Sequence, residues 1–358
     1  MRSIVWRFLL SLLFLFPLGL LAQSSLYFPP TDSDEWVKKD LNSLGWNNQE
    51  LARFLEWLPS QGTRSFIILK DGEIVVEEYW GAKLTGLGDM DEDALWYWAS
   101  AGKTLTSSLL GIAEKKKLLK VKHCTSKYLG EGWSSLPSKR EKEIKISHQL
   151  TMTTGLDERI ETPDNTEPEN LKFFSLAGQR WAYHNAPYTL LTEVLSEASG
   201  QSLVEFFRSS LGDKIGMTGT WQNVGESKVF YSNARSMARF GLFLLNHGVW
   251  DGEELIRPKY FESMVSSGSS DNPSYGYLTW LNSAEGFKVP GIQRKFPGKP
   301  VESASEDMFM ALGRNGQTLL VVPSENLVIV RMGTFSNEIL FPKAFVNQLW
   351  DRMNKVIN

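Results

Sequence analysis

The sequence has few of the residues on which disulfide and metal chemistry depend. Its 358 residues include one cysteine, Cys124, and four histidines. A single cysteine excludes an internal disulfide bond, so the hydrophobic core and its hydrogen bonds must hold the fold together. The histidines are far apart in sequence, and neither Cys-x-x-Cys nor His-Glu-x-x-His occurs. We therefore predict no metal and no cofactor, and only His184 is a candidate for more than an ordinary hydrogen-bonded side chain.

The sequence also has no large excess of either sign of charge. The net charge is −3, and the one short basic run, Lys115–Lys117, follows an apolar helical pattern, which indicates a solvated helix end. A nucleic-acid-binding surface needs clustered Lys and Arg, so we predict no nucleic-acid partner. With 42% hydrophobic residues, the chain can build the core of one large domain or of two intimately packed ones.

The N-terminus is typical of a secretory signal peptide, which we place at residues 1–22. Arg2 and Arg7 precede an apolar run at residues 8–21, and Ala22 follows it. This order of charged, apolar and small residues predicts cleavage after Ala22 and a secreted or periplasmic protein. The run is shorter than the about 20 residues that span a bilayer, so we expect no stable membrane insertion after cleavage. An uncleaved anchor is the alternative.

The two ends of the mature chain have matching patterns. Two β-rich runs flank an Asp-Gly turn at residues 70–73, and two more flank residues 323–326, so each end predicts a β-hairpin. Apolar spacing predicts an amphipathic helix around residues 51–58 and another over residues 339–353. We therefore expect one antiparallel sheet built from both chain ends, with flanking helices.

The middle of the chain is predicted to be mostly helical. We predict an α/β fold in which a helical subdomain, approximately residues 104–300, is inserted into a single domain that spans residues 23–358. Two irregular segments, residues 157–170 and 283–305, are rich in Pro, Gly, Glu and Asn. Because long irregular segments tend to carry function, we expect these two to form the rims of a binding cleft.

Ser100 and Lys103 form the only Ser-x-x-Lys pair in the sequence. Apolar residues with helical spacing follow, so Ser100 is predicted at a helix N-terminus, with Lys103 one turn later on the same face. A serine hydroxyl needs a base to become a good nucleophile, and a Lys partly removed from water has a lowered pKa and can be that base. The helix N-terminus also offers backbone N–H groups where an oxyanion would form.

The alternative for this pair is an N-cap serine followed by a surface lysine. Three aromatic residues at positions 96–98 immediately precede Ser100, which favours a buried cleft wall over a solvated cap. The small Ala101-Gly102 pair leaves room for an approaching substrate.

Two Tyr-x-Asn segments could supply a polar partner. We favour Tyr183 and Asn185 over residues 231–233, because the first pair lies in a predicted loop and the second leads into a predicted core helix. A Tyr near Lys103 can be held partly as phenolate and act as general base or acid. Asn185 could orient a substrate carbonyl or hydrogen-bond to Lys103. The alternative for Tyr183 is an aromatic plug beside Trp181.

These motifs together resemble the serine β-lactamase and penicillin-binding-protein superfamily. Residues 146–157, 178–200 and 233–256 are similar to segments of class C β-lactamases and their esterase and amidase relatives. The resemblance runs from about Ser65 to Arg331 and is closest to the branch of 6-aminohexanoate-oligomer hydrolases and related serine hydrolases. It implies a β-lactamase-like fold, and it selects Tyr183 over Tyr231.

One departure from that family concerns its third motif, usually Lys-Thr-Gly or His-Thr-Gly on the strand beside the nucleophile. Here Ala311-Leu312-Gly313 occupies that place, so the partner that grips a β-lactam carboxylate is missing. Gly313 still permits close backbone approach and substrate positioning. The resemblance implies that the backbone N–H groups of Ser100 and Arg314 form the oxyanion hole. The Arg314 side chain either replaces the missing cation or faces solvent.

The resemblance implies a secreted serine hydrolase that cleaves ester or amide bonds through a Ser100 acyl-enzyme. Lys103 and Tyr183 would be the general base and acid, and the partner a small ester, amide or peptide-like substrate. One alternative is a true β-lactamase or a D-amino-acid peptidase, with the altered third motif compensated from elsewhere. Another is a non-catalytic module that binds cell-wall or peptide ligands in the same cleft.

Overall fold

The computed structural model describes residues 26–335 and 341–358, so the predicted signal peptide lies outside the described residues. The strands are β1 (Thr63–Lys70), β2 (Glu73–Tyr79), β3 (Trp96–Tyr97), β4 (Thr220–Val224), β5 (Ser227–Ser232), β6 (Val249–Trp250), β7 (Glu253–Glu254), β8 (Trp280–Leu281), β9 (Phe287–Val289), β10 (Ile292–Phe296), β11 (Phe309–Gly313), β12 (Gln317–Val322) and β13 (Leu327–Gly333). The helices are α1 (Asn48–Ser60), α2 (Gly102–Lys115), α3 (Ser126–Leu129), α4 (Ser138–Glu141), α5 (Ile146–Leu150), α6 (Asn185–Ser199), α7 (Leu203–Phe207), α8 (Asp213–Ile215), α9 (Ala234–Leu245), α10 (Pro258–Met264) and α11 (Lys343–Ile357).

The main sheet has six antiparallel strands in the order β2-β1-β13-β12-β11-β8. The first and last strands of the chain are neighbours in it, since β1 pairs with β13 through contacts such as Ile67 opposite Val330. The prediction of one antiparallel sheet built from both chain ends is therefore confirmed.

Helices cover both faces of this sheet. Gly241 of α9 lies against Val328, whereas Phe54 of α1 packs on Phe66. Phe66 is paired with Arg331, and side chains alternate along a strand, so Phe66 and Val328 point to opposite faces. Burial on both faces explains why these strands are nearly continuous apolar runs rather than alternating ones.

The two predicted hairpins are also confirmed. Asp71 and Gly72 have φ values of 54° and 87°, the left-handed conformation that a two-residue hairpin turn requires at both central positions. A Cβ at position 72 would collide with the backbone of Tyr27, so only glycine fits there. The second hairpin turns through Pro323–Glu325 and ends at Asn326, with a φ of 44°.

The middle of the chain contains the predicted helices but also more strands than we predicted. β3, β5 and β4 form a three-stranded sheet, and β9 pairs with β10 inside the segment 283–305 that we had interpreted as irregular. That interpretation is wrong for these strands. The sequence did not indicate β10 (Ile292–Phe296) because the strand is largely exposed and lacks the alternation of apolar residues that marks a half-buried strand. Segment 157–170 is irregular as expected, apart from a 3-10 turn at Pro168–Asn170.

Three backbone segments meet at one end of the main sheet. α2 packs against α6, and β11 packs against both α2 and the short 3-10 helix Ala99–Ala101 that precedes it. The start of α2, the start of α6 and the end of β11 therefore lie together. Within residues 26–335 and 341–358, no helix combines the length and the apolar character needed to cross a membrane.

Candidate active site

Ser100 and Lys103 are brought together at the start of α2. Ser100 lies in the 3-10 helix Ala99–Ala101, which runs directly into α2, and Lys103 Nζ lies 3.1 Å from Ser100 Oγ. Lys103 is only 5% exposed, so it is not the surface lysine of the alternative interpretation. Ser100 does not cap the helix either, because the residue before α2 is Ala101 and no side chain caps it.

The surroundings of Lys103 are aromatic. Its Nζ lies 4.3 Å from the ring centre of Tyr188 and 5.1 Å from that of Tyr183. Burial lowers the pKa of Lys103 to about 7, and the negative charge of Asp164 acts in the opposite direction. A neutral amine is therefore well populated at neutral pH, which is the form that can accept a proton from a serine hydroxyl.

Tyr183 is half-buried at the side of this pair. Its ring stacks on Trp280 at 6.2 Å with an interplanar angle of 14°, and it meets Tyr275 and Trp181 edge-on or tilted. Burial raises the pKa of Tyr183, and a hydrogen bond with Ser100 acts in the opposite direction. The neutral phenol is thus favoured over the phenolate that we had expected. The aromatic packing fixes the ring while the hydroxyl faces Ser100.

Asn185 begins α6 and forms a hydrogen bond with Asp164, a residue that none of the sequence motifs includes. Its Nδ2 donates to Asp164 Oδ1 at 2.8 Å rather than binding Lys103. Its Oδ1 is buried and has no hydrogen-bond partner among the described residues. His184 is 2% exposed with both ring nitrogens equally unpartnered, and burial lowers its pKa to about 4, so its imidazole is neutral. Asp164 lies in segment 157–170, where only the expectation of a cleft rim could have suggested it.

Gly313 lies where the third motif was expected, at the end of β11. A Cβ at this position would lie 2.5 Å from the carbonyl oxygen of Trp98 and 3.1 Å from the backbone nitrogen of Ala101. Only glycine therefore lets β11 approach the turn that carries Ser100 this closely. The Arg314 side chain is exposed, while Ala311 and its neighbour in the motif are buried.

The turn that follows β11 is tied to the segment before Ser100. Asn315, at a φ of 63°, donates from Nδ2 to Tyr97 Oη at 2.8 Å. Its carbonyl accepts from Arg331 Nη1 at 2.7 Å. Arg331 is fully buried and also donates to the carbonyls of Gln61 and Thr334. Nothing in the spacing of the sequence indicates this network, because its members come from distant segments.

The second Tyr-x-Asn segment, residues 231–233, makes structural contacts with the strand that precedes Ser100 and with α9. Tyr231 pairs with Tyr97 between β5 and β3, and Ser232 Oγ accepts a 2.8 Å hydrogen bond from Trp98 Nε1. Asn233 caps α9, since its side chain accepts from the backbone N–H of Ser236 at 2.8 Å. The structure thus gives this segment the role of a scaffold for the strand that leads to Ser100.

Metal ligands do not cluster in the described part of the chain. No group of three or more His, Cys, Asp or Glu side chains in residues 26–335 and 341–358 is arranged to hold a metal ion. The polar groups that surround Ser100 are its own hydroxyl, the buried amine of Lys103, the phenol of Tyr183 and nearby backbone N–H groups.

Comparison with known proteins gives a family match over most of the chain. The family model described as Beta-lactamase matches residues 61–339. An uncharacterized protein of Alkalihalophilus pseudofirmus is 26% identical over 298 residues, which is 75% of this chain and 82% of that protein. A protein of Bacillus subtilis, provisionally named a penicillin-binding protein, is 22% identical over 82% of this chain and 77% of its own length.

Solved structures have the same fold at low identity. A protein of Bacillus anthracis, provisionally named a 6-aminohexanoate-dimer hydrolase, superposes with a TM-score of 0.65 at 17% identity, covering 92% of this chain and 88% of its own. A family VIII carboxylesterase superposes with a TM-score of 0.67 at 15% identity, covering 90% and 99%. These matches confirm the predicted β-lactamase-like fold.

Proposed function

This chain is a member of the beta-lactamase family, and we propose that it is a serine hydrolase that cleaves ester or amide bonds through an acyl-enzyme on Ser100. The observation that carries the proposal is the 3.1 Å contact between Ser100 Oγ and the buried amine of Lys103, whose pKa is lowered to about 7. A binding module needs neither a nucleophile nor a base, so this pair favours catalysis over ligand binding alone.

In the proposed first step, Ser100 Oγ attacks the substrate carbonyl carbon while neutral Lys103 takes the hydroxyl proton. The electron pair of the carbonyl π bond moves to oxygen, and the oxyanion accepts hydrogen bonds from the backbone N–H groups of Ser100 and Arg314. The close approach of Gly313 to the nucleophile turn supports this assignment of the second donor.

Collapse of the tetrahedral intermediate then breaks the bond to the leaving group. The leaving oxygen or nitrogen takes a proton from the Lys103 ammonium, directly or through the Tyr183 phenol, whose raised pKa keeps it protonated. Water attacks the acyl-enzyme in the second half-reaction, and its proton passes to neutral Lys103, directly or through the Tyr183 phenol. The bond between the acyl carbon and Ser100 Oγ then breaks, Oγ takes that proton, and the free acid is released.

The third motif argues for simple esters or amides as substrates over β-lactams. Ala311 and Leu312 are buried and apolar, and they offer neither the cation nor the hydroxyl that would bind a β-lactam carboxylate. A true β-lactamase or D-amino-acid peptidase is the second candidate. It would need the exposed Arg314 to bind the carboxylate instead.

We also propose that the protein acts outside the cytoplasm. This rests on the sequence pattern of residues 1–22, which lie outside the described residues. Mass determination of the protein recovered from its native cell envelope or medium tests it, with cleavage after Ala22 as the expected result.

The test of the proposed activity is labelling by a fluorophosphonate probe, read by intact mass. We expect one adduct on the wild-type protein, none on Ser100→Ala, and labelling slowed by about 10²- to 10⁴-fold in Lys103→Ala, because a general base is removed. Lys115→Ala, at the far end of the same helix, is the matched control and should label at the wild-type rate.

Two results would contradict the proposal. An adduct that persists on Ser100→Ala would place the nucleophile elsewhere, and a wild-type protein that takes no adduct would leave ligand binding as the function of the cleft. Hydrolysis of a short-chain p-nitrophenyl ester compared with a chromogenic cephalosporin then separates the two candidate activities.

A further inference from the structure

We propose that Tyr188 is a positioning residue of the active site, whose ring face holds the amine of Lys103 beside Ser100 Oγ. Tyr188 belongs to neither the Ser-x-x-Lys pair nor the Tyr-x-Asn segment. The inference rests on the proposed hydrolase activity and adds to it the group that fixes the base.

Of the two rings that face the Lys103 amine, that of Tyr188 is the nearer. Nζ lies 4.3 Å from its centre, compared with 5.1 Å for the Tyr183 ring. Among the described residues Nζ donates one hydrogen bond, to Ser100 Oγ at 3.1 Å, and it forms no ion pair. A cation within about 6 Å of a ring centre is attracted by the negative face of the ring. The face of Tyr188 is thus a second partner of the ammonium besides Ser100.

The Tyr188 ring is anchored by the same helix that carries Lys103. Tyr188 lies on α6, one turn after Asn185, and α6 packs against α2. The Tyr188 hydroxyl lies 3.3 Å from Thr106 Oγ1, and Thr106 follows Lys103 by one turn of α2. Residues three positions apart share a helix face, so the amine and the anchor of the ring are presented on one side of α2. The ring is 8% exposed and has little room to turn away.

Packing between the helices does not by itself call for a tyrosine at position 188. Leu191 and Leu195 lie one and two turns further along the same face of α6, and both are completely buried. A tyrosine in this row needs a partner for its hydroxyl, which Thr106 provides. Burial raises the pKa of Tyr188, so the phenol stays neutral. What this residue adds to the row is an electron-rich ring face directed at the amine.

The ring acts on both the position and the charge of the amine. Lysine has a flexible four-carbon stem, and a ring beside it limits the conformations in which Nζ can wander from Ser100. The ring face also stabilises the ammonium and does little for the neutral amine. Burial lowers the pKa of Lys103 to about 7, and the charge of Asp164 opposes this. The faces of Tyr188 and Tyr183 act in the same direction as Asp164, so weakening the Tyr188 face should lower this pKa further.

The first test replaces Tyr188 with phenylalanine and with its mono-, di- and trifluorinated forms. Fluorine withdraws electron density from the ring face and nearly preserves the shape of the ring, so the attraction for a cation weakens without a cavity. The pH midpoint of labelling by the fluorophosphonate probe should fall stepwise along the series, by about half to one pH unit in total. The direction follows because a less stabilised ammonium loses its proton at lower pH.

Tyr260 provides the matched control for this series. It is a buried tyrosine whose hydroxyl donates to the carbonyl of Ser107 in α2 at 2.8 Å, but its ring lies against Gly111, further along the helix from Lys103. The same substitutions at Tyr260 should leave the pH midpoint unchanged.

The second test separates the position of the amine from its charge. Well above the midpoint Lys103 is neutral in every variant, so the labelling rate there reports only the placement of Nζ. Tyr188→Leu should lower this plateau rate by about tenfold. Tyr188→Phe should keep it within about twofold of the wild-type rate, because the ring is retained. Circular dichroism is the control for folding.

Either of two results would overturn the inference. One is a midpoint that stays constant along the fluorinated series, and the other is a plateau rate in folded Tyr188→Leu equal to that of the wild-type protein. If Tyr188→Leu does not fold, the fluorinated series decides alone. Failure of the wild-type protein to take the probe would instead overturn the proposed hydrolase activity itself.

Discussion

Two buried cations of this molecule, Lys103 and Arg331, have opposite hydrogen-bonding environments. Both are at most 5% exposed, and neither belongs to an ion pair among the described residues. Within that part of the chain the Lys103 ammonium donates one hydrogen bond, to Ser100 Oγ. The Arg331 guanidinium donates to four acceptors: Thr63 Oγ1 and the carbonyls of Gln61, Asn315 and Thr334.

The difference shows how burial acts on a charge with and without acceptors. Burial lowers the pKa of Arg331 to about 9, so this guanidinium, whose donors are satisfied by an oxygen of Thr63 and by fixed carbonyls, stays protonated at neutral pH and holds segments together. An ammonium surrounded by rings and one hydroxyl is poorly solvated, so its proton is easily lost. The first environment builds a scaffold, and the second creates a base.

The two regions are connected through the turn after β11. Arg331 holds the carbonyl of Asn315, and the side chain of Asn315 holds Tyr97, three residues before Ser100. Arg331, whose donors are satisfied, thus fixes the turn that carries the proposed oxyanion donor, the backbone N–H of Arg314. Lys103, which has a single acceptor, contacts the hydroxyl of Ser100.

The strongest test of this comparison is to replace each cation with methionine, which removes the charge and keeps apolar bulk. Arg331→Met leaves several buried carbonyls without donors and should lower the free energy of unfolding by about 3–5 kcal/mol. Lys103→Met removes a poorly solvated ammonium and should raise it by about 1–2 kcal/mol, while slowing acylation by about 10²- to 10⁴-fold. Urea denaturation at pH 7 measures both changes.

The sign for Lys103 can be checked by pH. Its pKa in the folded protein is depressed to about 7 from 10.5, so its destabilising effect is complete below pH 7 and disappears as the pH rises towards 10.5. The stability gained by Lys103→Met should shrink over the same interval. Loss of stability in Lys103→Met at pH 7, or an unaffected Arg331→Met, would refute the comparison, and Arg331→Lys should recover part of the loss because it restores some donors.

The two Tyr-x-Asn segments give a comparison of smaller effect. Tyr183→Phe removes the hydroxyl that faces Ser100 and should lower kcat by about 10²-fold. Tyr231→Phe alters a residue that pairs with Tyr97 behind the nucleophile and should change kcat by less than about twofold. Steady-state kinetics on one ester measures both variants, with circular dichroism as the control for folding. Similar losses of kcat in the two variants would mean that the assignment of Tyr183 to the site and of Tyr231 to a structural role is wrong.

Local sequence patterns were sufficient to predict the sheet and the proximity of Ser100 and Lys103. The Asp71-Gly72 turn and the spacing of Ser100 and Lys103 depend on neighbours within one turn, so they can be identified without tertiary information. The same is true of the helices α2 and α9, whose apolar spacing is regular.

Features that depend on distant segments could not be predicted in this way. Asp164 reaches Asn185 across 21 residues, and Arg331 reaches Gln61 across 270. Strand β10 escaped prediction for a different reason, because its exposed residues do not alternate in polarity. Long-range hydrogen bonds and exposed strands leave no periodic signal, and the unpartnered acceptors of the site become visible only once the chain is folded.

The smallest expected effect concerns the pH dependence of acylation. Because only neutral Lys103 can take the Ser100 proton and its pKa is lowered to about 7, kcat/KM should rise about tenfold per pH unit below 7 and level off above it. The Asp164 charge raises the pKa of Lys103, so Asp164→Asn should move this limb to lower pH when a neutral ester is the substrate. A limb near the ordinary lysine pKa would mean that the cation–π contacts with Tyr183 and Tyr188 keep Lys103 protonated. In that case Arg331 and Lys103 would differ in the number of their hydrogen bonds, but both would be positively charged at neutral pH.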